Sequence, residues 1–183
     1  LKIMVIAVVV LAVLLVLLVA INNSLVGKRN KVRNSWSQID VQLKRRFDLI
    51  PNLVETVKGY AAHERGTFEQ VTAARTKFLS ASTPEDMMKA NGELTMALGR
   101  LFAVAEAYPD LKANASFLDL QQTLSKTEDK ISFSRQFYND VVMDYNNAVQ
   151  MFPSSIVASL FGFREEPFFN IEESEKQTPQ IKF

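Results

Sequence analysis

Cysteine is absent from the 183 residues and histidine occurs once, at His63. A disulfide framework, a thiolate metal site and a cysteine nucleophile are therefore excluded. One histidine without cysteine does not make a typical zinc site, which takes three or four ligands of the preferred types. His63 and its neighbour Glu64 point to different faces of any helix, so a surface or capping role is the default reading. Glycine and proline number only six each, which suits long helices. Phosphate-binding glycine loops and the Gly-x-Ser-x-Gly elbow are missing. No sustained period-two alternation marks a strand. No catalytic, cofactor or metal motif emerges from these residue types.

What the chain has is an unbroken apolar run from Ile3 to Ile21. At about 1.5 Å per residue such a run approaches the thickness of a bilayer's hydrocarbon core. It is too long for the apolar core of a cleaved signal peptide, and Leu18-Val19-Ala20 is a poor cleavage site. Residues 1–22 are read as a transmembrane anchor. No glycine or proline occurs before Gly27, so the anchor is expected to continue into a soluble helix.

Charge is asymmetric. Residues 1–60 carry nine basic and three acidic side chains, whereas residues 61–183 carry twelve and seventeen. Lys28, Arg29, Lys31 and Arg33 follow the run directly, with no acid before Asp40. Such a cluster is attracted to anionic headgroups, and the positive-inside rule puts the rest of the chain in the cytoplasm. Nucleic-acid binding is the rival reading, but aromatic and basic residues do not interleave and no such motif occurs.

Helical spacing dominates downstream. Val32, Trp36, Ile39, Leu43, Phe47 and Ile50 form one stripe, resumed by Val54, Val57 and Ala61 beyond Pro51. Proline removes a backbone donor, so the helix must kink or restart there, with Asp48 as a candidate cap. A second helix is expected over about 63–79. A third starts at Thr83, with Pro84 in its first turn and Glu85 and Asp86 favouring the dipole. The last long helix is capped by Asn114 or Ser116 and ends at Pro153; its stripe runs from Phe117 through Ile131 and Tyr145 to Phe152 in steps of about seven. Gly92 and Gly99, seven apart, suggest a close helix contact. The expected fold is all-α: a transmembrane helix continuing into an antiparallel, coiled-coil-like bundle of long helices over 23–152.

Three polar residues interrupt this pattern. Glu128 and Arg135 replace apolar residues on the last helix's inward stripe, and Glu106 near the preceding helix end is a candidate partner for Arg135. A structural polar network is the expected role, with a carboxylate site for acid–base chemistry as the alternative. Residues 153–170 form an apolar segment containing Ile156, Leu160, Phe161, Phe163, Phe168 and Phe169. It either packs back on the bundle or meets lipid or another subunit. The acidic stretch 171–183 is expected to be disordered.

The stretch Trp36-Ser-Gln-Ile-Asp-Val-Gln-Leu-Lys-Arg-Arg-Phe-Asp-Leu-Ile-Pro-Asn-Leu-Val-Glu-Thr-Val-Lys-Gly-Tyr60 resembles the signature of the LemA family. So do Glu106-Ala-Tyr-Pro-Asp-Leu-Lys112, Ser134-Arg-Gln-Phe-Tyr-Asn139 and the ending from Phe152-Pro-Ser-Ser to Phe161-Gly-Phe163. The match covers about 22–169 in order. Asn22 stands where the family usually has tyrosine, and Phe47 where many members have His or Tyr. The resemblance implies a single-span protein of the bacterial inner membrane with an all-helical domain, no cofactor and no enzymatic activity. Some relatives carry lipoprotein-type signals, which implies a domain outside the cytoplasm. Some members neighbour a membrane metallopeptidase and others associate with magnetosome membranes. The expected function is a non-enzymatic scaffold that self-associates and organises or maintains the membrane. The alternative is an adaptor or regulator of a membrane protease or envelope-stress pathway. Expected partners are the lipid bilayer, further copies of the chain and other membrane proteins, with no nucleic acid.

Overall fold

The computed structural model describes residues 1–169, all helix and connecting segment with no strand among them. The acidic stretch 171–183 lies outside the described residues. Helix α1 runs from Lys2 to Asp48, 47 residues without a break, or about 70 Å. Gly27 lies inside it, and a Cβ there would meet nothing within 4 Å. The apolar run and the first stripe are therefore one helix.

Pro51 does interrupt the helix, as its missing N–H demands. α2 (Ile50–Lys58) restarts after one residue with Pro51 in its first turn. Asp48 does not cap it. Leu49 fills that position, keeps helical backbone angles and makes no side-chain cap bond, so the chain never opens into the extended geometry a carboxylate cap serves. α3 covers Arg65–Ser80 and α4 Pro84–Ala105. Thr83 caps α4 by accepting the Asp86 N–H at 3.1 Å, with Pro84 next to it. A short turn, α5 (Pro109–Lys112), leads to α6 (Ala115–Gln150, 36 residues) and α7 (Ser154–Phe161). Asn114 is the cap of α6: its Oδ1 accepts the Phe117 N–H at 3.0 Å, while its amide donates to the Tyr60 hydroxyl at 2.9 Å.

The described residues form two compact units, one of 1–37 and 136–168, the other of 38–135 and 169. In the first, Lys28 on α1 pairs with Asp144 on α6 and Trp36 packs edge-on against Tyr138. Ascending numbers on α1 thus meet descending numbers on α6: the two helices are antiparallel. Leu25, Val32, Val142 and Tyr145 are buried between them.

In the second unit α3 and α4 form an antiparallel pair, marked by Lys77 with Glu93 and Arg100 with Gln70. Ile39, Leu43, Ile50, Leu53 and Val57 bury one face of α1 and α2 with Val71, Leu94, Leu101 and Ile131. Phe47 stacks on Phe78 with ring centroids 3.9 Å apart. The predicted stripes fill these cores, with two corrections. Phe152 is exposed, because α6 ends at Gln150 and leaves it in the following turn. Gly99 faces outward with open space around it, so no helix among the described residues crosses there, whereas Gly92 is buried.

Candidate functional site

The end of the first unit that carries the apolar run concentrates the features a membrane protein would use. Residues 1–17 are exposed without exception, and cover on α1 begins only at Leu18. α1 is long and apolar enough to cross a membrane by length and composition. Beyond the run the four predicted cations separate. Lys28 Nζ lies 2.6 Å from Asp144, the two side chains 31% and 58% exposed. An exposed pair of this kind contributes at most about 1 kcal/mol. The Arg29 guanidinium sits 4.9 Å from the Phe163 ring centroid, a cation–π contact. Lys31 and Arg33 stay exposed. Two of the four charges are thus turned onto the protein.

Tyr145 is buried under this cluster. Its phenol is pushed above the usual tyrosine value, first by burial and then by the Glu166 carboxylate; Arg29 and Arg33 pull the other way. The phenol is therefore held neutral more firmly than in water.

The Phe-rich segment divides. Phe163 and Phe169 are buried, together with Val157 and Ala158 of α7, while Ile156, Leu160, Phe161 and Phe168 are exposed. Gly162, with φ at 72°, ends α7 in the left-handed conformation that glycine adopts without steric cost. The chain then returns as a strap. The Asn146 side chain makes two 2.9 Å bonds with the Glu166 backbone, donating to its carbonyl and accepting from its N–H. The Tyr138 hydroxyl donates to the Pro167 carbonyl at 3.0 Å.

The predicted network of Glu106, Glu128 and Arg135 does not form as one cluster. Glu106 pairs with Lys112 at 2.6 Å and is 69% exposed. It belongs to the end of α4, beside Phe117 of α6. From Phe117 to Arg135 α6 climbs 18 residues, about 27 Å, far beyond the reach of any side chain. The Arg135 guanidinium instead lies 5.6 Å from the Phe169 ring centroid. Glu128 meets Arg46, an arginine the stripe reading passed over: Arg46 Nη2 to Glu128 Oε2 is 3.0 Å. Arg46 is buried and also donates to the Asn91 amide oxygen, which is buried too. Glu128 Oε2 is itself buried and accepts no hydrogen bond, so this contact is ionic without hydrogen-bond geometry. The signal for Arg46 was present in the spacing: 39, 43, 46 and 50 continue the four-three-four rhythm of a core face as well as Phe47 does. For Asn91 there was no signal, since its place depends on where α1 falls.

The remaining candidates gather no chemistry. His63 is exposed in the turn between α2 and α3. A groove along α2 and α3 is lined by Lys58, Arg65, Phe68, Glu69 and Thr72, with Lys58 Nζ 5.9 Å from the Phe68 ring. Among the described residues no three His, Cys, Asp or Glu side chains are placed to hold a metal.

Comparison with known proteins agrees with this architecture. A model of the LemA family matches residues 35–183. Magnetosome proteins MamQ 1 and MamQ 2 of Paramagnetospirillum magneticum are each 28% identical over 204 aligned positions, covering 97% of this chain and 75% of theirs. Protein LemA of Metamycoplasma hominis is 25% identical over 155, covering 84% of this chain and 71% of its own. With the family model spanning most of its length, this is a membrane-associated helical protein and belongs to the LemA family.

Proposed function

We propose that the protein is a non-enzymatic scaffold, anchored in the bacterial inner membrane by α1, that self-associates and so organises or maintains the membrane. The observation that carries this reading is the continuity of α1 from Lys2 to Asp48. A flexible tether would let the helical part turn freely against the bilayer. Within the first unit the unbroken helix carries the orientation of the span on to residues 22–37 and to the α6 residues paired with them, so contacts between neighbouring copies can align their anchors. The uneven charge supports a cytoplasmic helical part, because Lys28, Arg29, Lys31 and Arg33 follow the span directly. The relatives named as magnetosome proteins carry no enzyme name, in keeping with this reading.

The test is the mass of the full chain in mild detergent, measured over a concentration series. Oligomers that grow with concentration are expected, and a strict monomer at the highest concentration would sink the scaffold. Crosslinking in cells followed by pulldown should return further copies of the chain. Recovery of a membrane peptidase in place of self-copies would move the reading to a protease adaptor.

A further inference from the structure

Between Asp144 and Arg164 no charged residue occurs. The stretch includes the end of α6, the turn at 151–153 and all of α7. Its buried residues, Val157 and Ala158, account for one side of α7. Outside that side the segment exposes large apolar groups beside Ser159: Met151 is 62% exposed and Phe152 80% in the turn, and Ile156 61% and Leu160 68% on α7, while Phe161, four after Val157, is 51% exposed at the helix end. Ile156 and Leu160, four apart, project to the same side. Large apolar side chains gathered in this way on one surface mark an interaction site.

The pairing of α1 with α6 fixes where that surface lies. Lys28 and Asp144 touch at 2.6 Å. From there α1 descends seven residues to Ile21, the last of the apolar run, and antiparallel α6 advances six residues to Gln150, its last. At about 1.5 Å per residue these are displacements of about 10 Å and 9 Å in the same direction. The end of α6 is thus level with the end of the apolar run, and Met151, Phe152 and the start of α7 follow at that level. The cover that begins on α1 at Leu18 agrees with this placement.

We propose that residues 151–161 are a second membrane contact, with Phe152, Ile156 and Leu160 inserting into the leaflet that α1 enters at Ile21. The lack of charge between Asp144 and Arg164 spares insertion the large cost of desolvating an ion, and the contact is continuous with the span. An amphipathic segment of this kind buries its apolar side at the boundary between headgroups and acyl chains. Together with α1 it would give the protein two points of attachment, limiting rotation about the anchor axis. The inference rests on α1 crossing the bilayer.

The absence of cysteine makes the test direct. Single-cysteine variants Val9→Cys, Phe137→Cys, Phe152→Cys, Ile156→Cys and Leu160→Cys of the full chain are labelled with a nitroxide and reconstituted in phosphatidylcholine–phosphatidylglycerol vesicles. Accessibility to oxygen, which partitions into lipid, is compared with accessibility to a water-soluble nickel chelate. Labels at 152, 156 and 160 should follow the lipid-like ratio at 9, and the label at 137 should report water. Water-like ratios at 152, 156 and 160 with a lipid-like ratio at 9 overturn the second contact and leave the span intact. Shielding of those labels from both reagents means protein covers them and overturns it equally. A water-like ratio at 9 overturns the span and the proposal with it. Ile156 and Leu160 lie outside the core, so these substitutions leave the fold unchanged.

Discussion

Truncating Arg46 to alanine should be among the most damaging single changes in the helical part. The substitution removes two buried methylenes beyond Cβ, about 1.6 kcal/mol at about 0.8 kcal/mol each. It leaves the Asn91 amide oxygen buried without its donor, about 1–3 kcal/mol more. Loss of the Glu128 pair adds up to about 1 kcal/mol, because that side chain is 40% exposed and water can replace the arginine. The total is about 4 kcal/mol, equivalent to a fall in melting temperature of about 8–16 °C for a domain of this size. Arg46→Met keeps the apolar stem and should cost about half as much. Glu128→Gln should cost about 1 kcal/mol or less. Melting followed by far-ultraviolet circular dichroism in mild detergent reads all three. An Arg46→Ala protein melting within a few degrees of the parent, or Glu128→Gln proving the worse change, would refute the assignment of Arg46 as the centre of the polar cluster.

Other substitutions test separate parts of the account. Asn114→Ala removes the cap of α6 and the bond to Tyr60, and should lower stability by about 1–2 kcal/mol. Ser116→Ala should be close to neutral in the same melt, which separates the two candidate caps. Gly99→Ala should raise stability by about 0.5–1 kcal/mol, since the added methyl meets open space in an exposed helix. Tyr145 sets an alkaline limit: its folded pKa is raised, so the native state holds the phenolic proton more tightly than the unfolded chain. Stability should therefore fall as pH climbs above about 10, and Tyr145→Phe should flatten that decline; an unchanged slope would show that the phenol does not control it. Lys28→Gln should cost under about 1 kcal/mol in a melt, as the pair with Asp144 is exposed.

Local signals located most of the helices because each depends on neighbours in sequence. Thr83-Pro84 opened α4 and Pro51 broke the first helix, since a cap or a missing donor acts within one turn. The aromatic and aliphatic stripe from Ile39 to Val57 found its core because a helix period leaves one face apolar. Where the reading failed, the outcome depended on a second helix. Glu106 lay near Arg135 only on the assumption that the end of α4 reached the middle of α6. Gly99 suggested a crossing that none of the described helices makes. Asp48 was a sound cap type at a break too short to use it.

Composition and helical period were enough to establish an all-α fold for the described residues and an apolar run long enough for a bilayer, and to place thiol chemistry and zinc sites of the usual type beyond these residue types. Those conclusions follow from composition and period, which do not depend on how helices meet. Packing between helices was needed to show that Arg46 finds Asn91 and Glu128, that two of the four membrane-proximal cations turn onto the protein, and that the Phe-rich segment is buried in part and exposed in part. Each is set by the register between helices far apart in sequence. In an antiparallel pair a shift of one residue moves every partner by about 1.5 Å along the axis and about 100° around it, and nothing within a single helix fixes that shift.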